Sequence, residues 1–226
     1  GKAITTGASN VIAGSGAGLA LNTGTSNVVI GKNAGVSLTN NNNNIVIGTQ
    51  AFDAANLGEN NNIAIGSHAL GAETTGAGWC VAIGHLALSA QNANVKNTAV
   101  GGLAGDNIGG ADENTLVGYM AGSGLNANSN TVIGHRAMDS GNATSNTIIG
   151  ADAARASTGN DNVVVGHAAG NGLGNGPGNV LIGKSAGASM NTGDYNVAIG
   201  FQAADVLTGD ANYNIAIGSN ALGGCT

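Results

Sequence analysis

Thirteen aliphatic triplets, each closed by a glycine, recur along the chain: NVIAG, NVVIG, NIVIG, NIAIG, CVAIG, NTAVG, NTLVG, NTVIG, NTIIG, NVVVG, NVLIG, NVAIG and NIAIG. The glycines are Gly14, Gly31, Gly48, Gly66, Gly84, Gly101, Gly118, Gly134, Gly150, Gly166, Gly183, Gly200 and Gly218, spaced 16 to 18 residues apart. An alanine stands three residues after each, from Ala17 to Ala221. Asparagine precedes the triplet in twelve of the thirteen copies, and Cys80 fills the other place. Self-similarity at a fixed short period is the signature of a solenoid, whose repeats bury their apolar faces only against their neighbours. Residues 1–226 are therefore read as a single repeat array.

The period selects the kind of coil. A repeat of this length has room for two strands of about five residues and two tight turns. A helix would consume most of the repeat, and the 3.6-residue apolar period is absent. The predicted fold is all-β: a parallel β-roll, or β-solenoid, of about 13 coils with 16–18 residues per coil. The first strand is the triplet, and the second begins after the glycine and carries the alanine. Two Phe, three Tyr and one Trp against 41 Gly leave too little bulk for a thick core, yet the 42% hydrophobic residues arrive in phase, which excludes disorder. A thin, long core satisfies both facts.

Each repeated residue has a mechanical reason. The glycine suits a corner where stacked backbones approach closely. The alanine reads as a limit on space inside the coil. Leu21, Leu38, Ile108, Leu125, Leu173, Met190 and Leu207, each seven residues after a motif glycine, would close the core from the far corner. Asparagines at equivalent places can hydrogen-bond from coil to coil in a ladder.

Side chains alternate faces along a strand. With the outer two residues of each triplet inward, the middle one faces out, and that position is apolar in all thirteen copies. A continuous exposed apolar strip is a contact surface. Its larger members, Val29, Val46, Leu116, Val132, Ile148, Val164 and Leu181, are the expected subunit interface, through which rods associate side by side. Thr98, Thr115, Thr131 and Thr147 occupy a position that is Val or Ile elsewhere and are expected inward, as isosteres of valine.

The unit N-[VI]-x-[IV]-G-x-x-A resembles the head repeats of YadA-like trimeric autotransporter adhesins, and equally the repeat arrays of bacteriophage tail fibres. The resemblance covers essentially the whole chain. It implies a parallel β-roll packed as a homotrimer about a common axis. The repeat here is a few residues longer than the adhesin-head unit, and the family's stalk, neck and anchor, and the chaperone domain common at fibre ends, are not in the sequence.

Candidate chemistry is sparse. "GNVLIGKS", Gly178 to Ser185, matches the phosphate-loop string, but its variable residues are a buried triplet and not a loop. His68, His85, His135 and His167 lie on separate coils, too far apart to share a metal within one chain, although a ring of copies about an oligomer axis could bring one of them together with its equivalents. The twelve acidic residues fall mostly in turns and form no catalytic pair. The sequon at Asn142 is expected by chance in so Asn- and Thr-rich a chain. No catalytic residue, metal site or cofactor is predicted. Six scattered Lys plus Arg and a net charge of −6 argue against nucleic acid, and no apolar run is long enough to span a membrane as a helix. Cys80 and Cys225 sit about eight coils apart, far beyond the reach of an intrachain disulfide.

The expected function is a non-enzymatic, extracellular structural or adhesive fibre segment on a virion or bacterial surface, its partners being copies of itself and a cell-surface glycan or protein receptor. The alternative is a self-assembling filament subunit, since both ends fall in mid-array without polar caps. An ice- or glycan-binding solenoid is a further class and needs an exposed regular surface.

Overall fold

The structure, a computed structural model, describes residues 6–55, 58–72, 78–91 and 96–224. The chain forms two units, Gly1–Asn114 and Thr115–Thr226. The first carries β1 (Val11–Ala13), β2 (Val28–Ile30), β3 (Ile45–Ile47), β4 (Ile63–Ile65), β5 (Val81–Ile83) and β6 (Thr98–Val100). The second carries β7 (Thr115–Val117), β8 (Thr131–Ile133), β9 (Thr147–Ile149), β10 (Val163–Val165), β11 (Val180–Ile182), β12 (Val197–Ile199) and β13 (Ile215–Ile217). Within each unit successive strands pair in parallel, with equivalent residues in register: Val29 lies beside Val46, and Val132 beside Ile148. The fold is the β-solenoid expected, with no helix among the described residues.

Each coil has one strand where two were expected. The residues two and four after the motif glycine have positive φ in every coil, as at Arg136 (52°) and Met138 (46°), so this stretch cannot extend. Its amides instead point alternately to the two neighbouring coils. Arg136 N donates back to Tyr119 O at 2.9 Å, and Met138 N donates forward to Ala153 O at 3.0 Å. The backbone is thereby paired on both sides without a second sheet.

The motif glycine is a steric necessity. Its φ lies between 124° and 142° in all thirteen copies, and a Cβ on Gly118 would stand 2.6 Å from Gly134 O on the next coil. The motif alanines pack inside, buried from Ala17 through Ala203. So do the asparagines, which form the expected ladder. Asn27 N donates to Asn10 Oδ1, Asn44 N to Asn27 Oδ1 and Asn62 N to Asn44 Oδ1, at 2.9 to 3.0 Å. The second unit repeats the pattern from Asn130 through Asn146, Asn162, Asn179 and Asn196 to Asn214. The Nδ2 group ties the ladder to the returning loop, as from Asn179 to Gly193 O at 2.9 Å. Where Cys80 replaces asparagine, buried Gln91 bridges the gap: its Nε2 lies 3.2 Å from Cys80 Sγ, and its Oε1 accepts from Asn97 Nδ2 at 2.9 Å. Cys225 lies outside the described residues.

In most coils the core has a large slot, filled from either of two positions, whereas the coil of β9 carries only the small Ala154 and Ser157 there. Leu21, Leu38, Ile108, Leu125, Leu173 and Met190 fill it from seven residues after the glycine, and in each of those coils the residue four after it is glycine. Phe52, Leu70, Leu88 and Met138 fill it from the nearer position, and Phe52 is then followed by Ala55, Leu88 by Gln91, and Met138 by Gly141. Leu207 is only half-buried, in a coil whose nearer position is Ala204. Gly35 shows the exclusion directly, since a Cβ there would fall 3.1 Å from Leu38 Cγ. Transplanting one arrangement into the other tests this account. Phe52→Gly should cost about 3–5 kcal/mol through its cavity, and Ala55→Leu about 1–3 kcal/mol through overpacking. The double variant, which reproduces the coil of Gly35 and Leu38, should cost less than either single change in urea denaturation.

Candidate interface on the exposed sheet face

The strand faces are the reverse of those expected. Val29, Val46, Leu116, Val132, Ile148, Val164 and Leu181 are all 0% exposed within the single chain, so they are core and not a subunit interface. The ladder explains the parity. Its asparagines are buried, and the middle of each triplet lies two residues further along the strand, on the same face. The first and third residues of each triplet therefore point out.

Those outward residues make a strip two side chains wide along each unit's sheet. The first position carries Val28, Ile45, Ile63 and Val81 in the first unit, and Val163, Val180, Val197 and Ile215 in the second. The third position is Val or Ile in every strand but β1. Ile30, Ile45, Ile133 and Ile149 are each 37% exposed, an unusual setting for isoleucine repeated at regular spacing. Thr98, Thr115, Thr131 and Thr147, expected inward, belong to this strip and are half-buried or exposed.

Aromatic residues flank the strip in the second unit. Tyr119 and His135, each directly after a motif glycine, stack at 5.7 Å between ring centroids. Lys184 Nζ sits 5.9 Å from the Phe201 ring centroid, so the lysine of the phosphate-loop look-alike lies exposed beside an aromatic ring, and the string itself spans β11. On the other side of the strands, Tyr195 and Tyr213 stack at 5.6 Å with their planes 7° apart. Chemistry of other kinds is not assembled: no group of three metal-ligating side chains occurs among the described residues, and His85 approaches only the Ser67 carbonyl. No helix among the described residues is long and apolar enough to cross a membrane.

One charge cluster stands out, on β8 and β9's following turns. Asp139 is nearly buried and accepts hydrogen bonds from Arg136 Nε at 3.0 Å and from Arg155 Nε and Nη2 at 3.3 and 3.2 Å. Asp152 lies 3.8 Å from Arg155 Nε. Burial pushes the Asp139 carboxyl up, but the hydrogen bonds and charges of Arg155 and Arg136 outweigh it and hold the group below its usual range. The cluster staples two coils, Arg136 and Asp139 following β8 and Asp152 and Arg155 following β9. No family model matches this chain, and neither the curated proteins nor the solved structures contain a match to it.

A depressed carboxylate pKa gives stability that is present above the unfolded-state value of about 3.9 and is lost as pH falls through the lower folded value. Asp139→Asn should destabilise the second unit by about 1–3 kcal/mol near neutral pH. The gap between variant and wild type should close as pH falls below about 4, measured by denaturation at a series of pH values.

Proposed function

We propose that the chain is a non-enzymatic segment of an extracellular structural or adhesive fibre, of the phage tail-fibre or bacterial surface-adhesin kind, whose copies associate through the outward strip. The observation that carries this reading is an apolar face left over after the core is complete. The coils of β2 to β12 already bury their middle triplet residue and their alanine, and most bury a large slot residue, yet β-branched side chains continue along the outside of the sheet. Sheets with parallel strands are ordinarily covered on both faces. The repeat's resemblance to trimeric adhesin heads supports three copies about a common axis. Such an assembly would cover the strip with its own equivalent, and the flanking rings Tyr119, Tyr195 and Phe201 fit the rim, where aromatic side chains contribute strongly to association. Neutral turns rich in Asn, Gly, Ser and Thr would then form the outer surface, available to a glycan or protein receptor.

A second reading has one observation in its favour. The threonines of β7 to β9 in the second unit face outward, in the regular exposed arrangement that an ice- or glycan-binding solenoid needs. That reading requires the strip to stay open in solution. A wild-type protein that is monomeric by native mass spectrometry and shows thermal hysteresis would favour it over the fibre.

Paired triple variants test the association. Ile133, Ile149 and Val165 changed to Asp should give monomers that keep their β circular dichroism, because these side chains point out. Val132, Ile148 and Val164 changed to Asp should abolish folding of the second unit, since each buried unpaired carboxylate costs several kcal/mol, on the order of 3–5. A wild type that is already monomeric, or an outward variant of unchanged oligomeric mass, would remove the strip as an interface.

A further inference from the structure

Resting on association through the strip, we infer that Thr115, Thr131 and Thr147 fix the alignment of the copies, which lie parallel and in register with these threonines level. The argument begins from a degeneracy. An aliphatic strip built from equal coils looks the same after sliding by one coil, because Val163, Val180, Val197 and Ile215 repeat the same shape at the same spacing. Nothing in such a strip distinguishes one register from the next, and uniform β surfaces are prone to slippage for that reason. A fibre segment with a defined shape needs a mark.

The only polar residues in the second unit's strip supply one. In the second unit Thr115, Thr131 and Thr147 are direct neighbours on β7, β8 and β9, and the column then turns to valine at Val163 on β10. The third position stays aliphatic throughout, from Val117 to Ile217. The hydroxyls of these three threonines make no side-chain hydrogen bond within the described part of the chain, although backbone groups, ladder amides and many loop hydroxyls there are paired. A hydroxyl both donates and accepts, so threonines can satisfy one another. Buried against valine or isoleucine, each would lose its water without a replacement.

Alignment decides between those outcomes. Parallel copies at the same height set Thr115, Thr131 and Thr147 against their own equivalents, and every hydroxyl gains a partner. A slip of three coils sets Thr115, Thr131 and Thr147 of one copy against Val163, Val180 and Val197 of the other. An antiparallel copy laid over the same second unit sets them against the far end of the strip, where Val180, Val197 and Ile215 stand, and matches the threonines only when centred on Thr131, which carries β10 to β13 beyond the partner's second unit. A polar residue at one level of an apolar seam fixes register in coiled coils by the same logic, at a cost in stability. Thr98 holds the same repeat position in β6 of the first unit.

The test places one nitroxide on each chain and reads the distances between copies. Asn142, exposed in the turn before β9, is changed to Cys in a Cys225→Ser background, Cys80 being buried. Native mass spectrometry and pulsed electron–electron resonance are then run on this protein and on its T115V/T131V/T147V and T115S/T131S/T147S variants. The expected result is an oligomer in all three, with one narrow distance in the wild type and the serine variant. The valine variant should show added longer distances, displaced along the axis in steps of one coil, roughly 4.8 Å. An oligomer whose valine variant keeps the single narrow distance would overturn the threonine inference and leave the strip standing. So would a wild type with several distances. Monomers throughout would overturn the strip itself and the inference with it.

Discussion

The asparagine ladder is the interaction on which the remaining geometry depends. Along the ladder a side-chain oxygen accepts from the backbone amide at the same place one coil on, and side-chain amides reach loop carbonyls, as Asn27 does at Asn41 O. Such a side chain must point inward, where water does not compete for it. Once it does, strand alternation leaves no choice: the middle of the triplet is core, and its neighbours are surface. The exposed strip is thus a product of the ladder. Outward valine and isoleucine can also carry an association without disturbing the fold, because the coil is closed without them.

Much of this was legible in the sequence. The period, the motif glycines, the alanines and the ladder itself are repeated residues with a single mechanical explanation each, and the structure places them as expected. Parity is not legible because asparagine is so frequent in loops that nothing in its type marks it as the inward residue that sets the strand face. A better signal lay in the triplets. The middle position ranges from Ala64 to Leu116 and Ile148, a spread of sizes that compensates for other core residues. The first position instead keeps a β-branched side chain in every copy and varies freely in polarity among valine, isoleucine and threonine, which is the tolerance of a surface. The missing second strand was harder to foresee. Non-glycine residues at positive φ, such as Met138 and Leu88, are costly alone and are held there by hydrogen bonds to coils on both sides.

The shared core slot shows how one fold accommodates divergent coils. A large side chain at Phe52 or at Leu38 fills equivalent space by different routes, and glycine or alanine at the other position keeps volume near constant. The coil of β5 extends the idea to polar groups: the loss of an asparagine at Cys80 coincides with a buried glutamine at Gln91 beside it, and the two changes are comprehensible only together. Variation in such an array is best read in pairs within a coil.

The ladder partners are separated by 16 to 18 residues wherever they occur, from Asn10 and Asn27 to Asn196 and Asn214. That separation does not grow with the number of coils. Mean sequence distance between touching residues is therefore set by the repeat and not by chain length, and the relative contact order falls as coils are added. Each new coil closes one short loop onto a surface already formed, a step whose entropic cost is the same at the tenth coil as at the second. An array built in this way can lengthen by duplication without becoming slower to fold per coil, so reach across space is gained at constant kinetic difficulty.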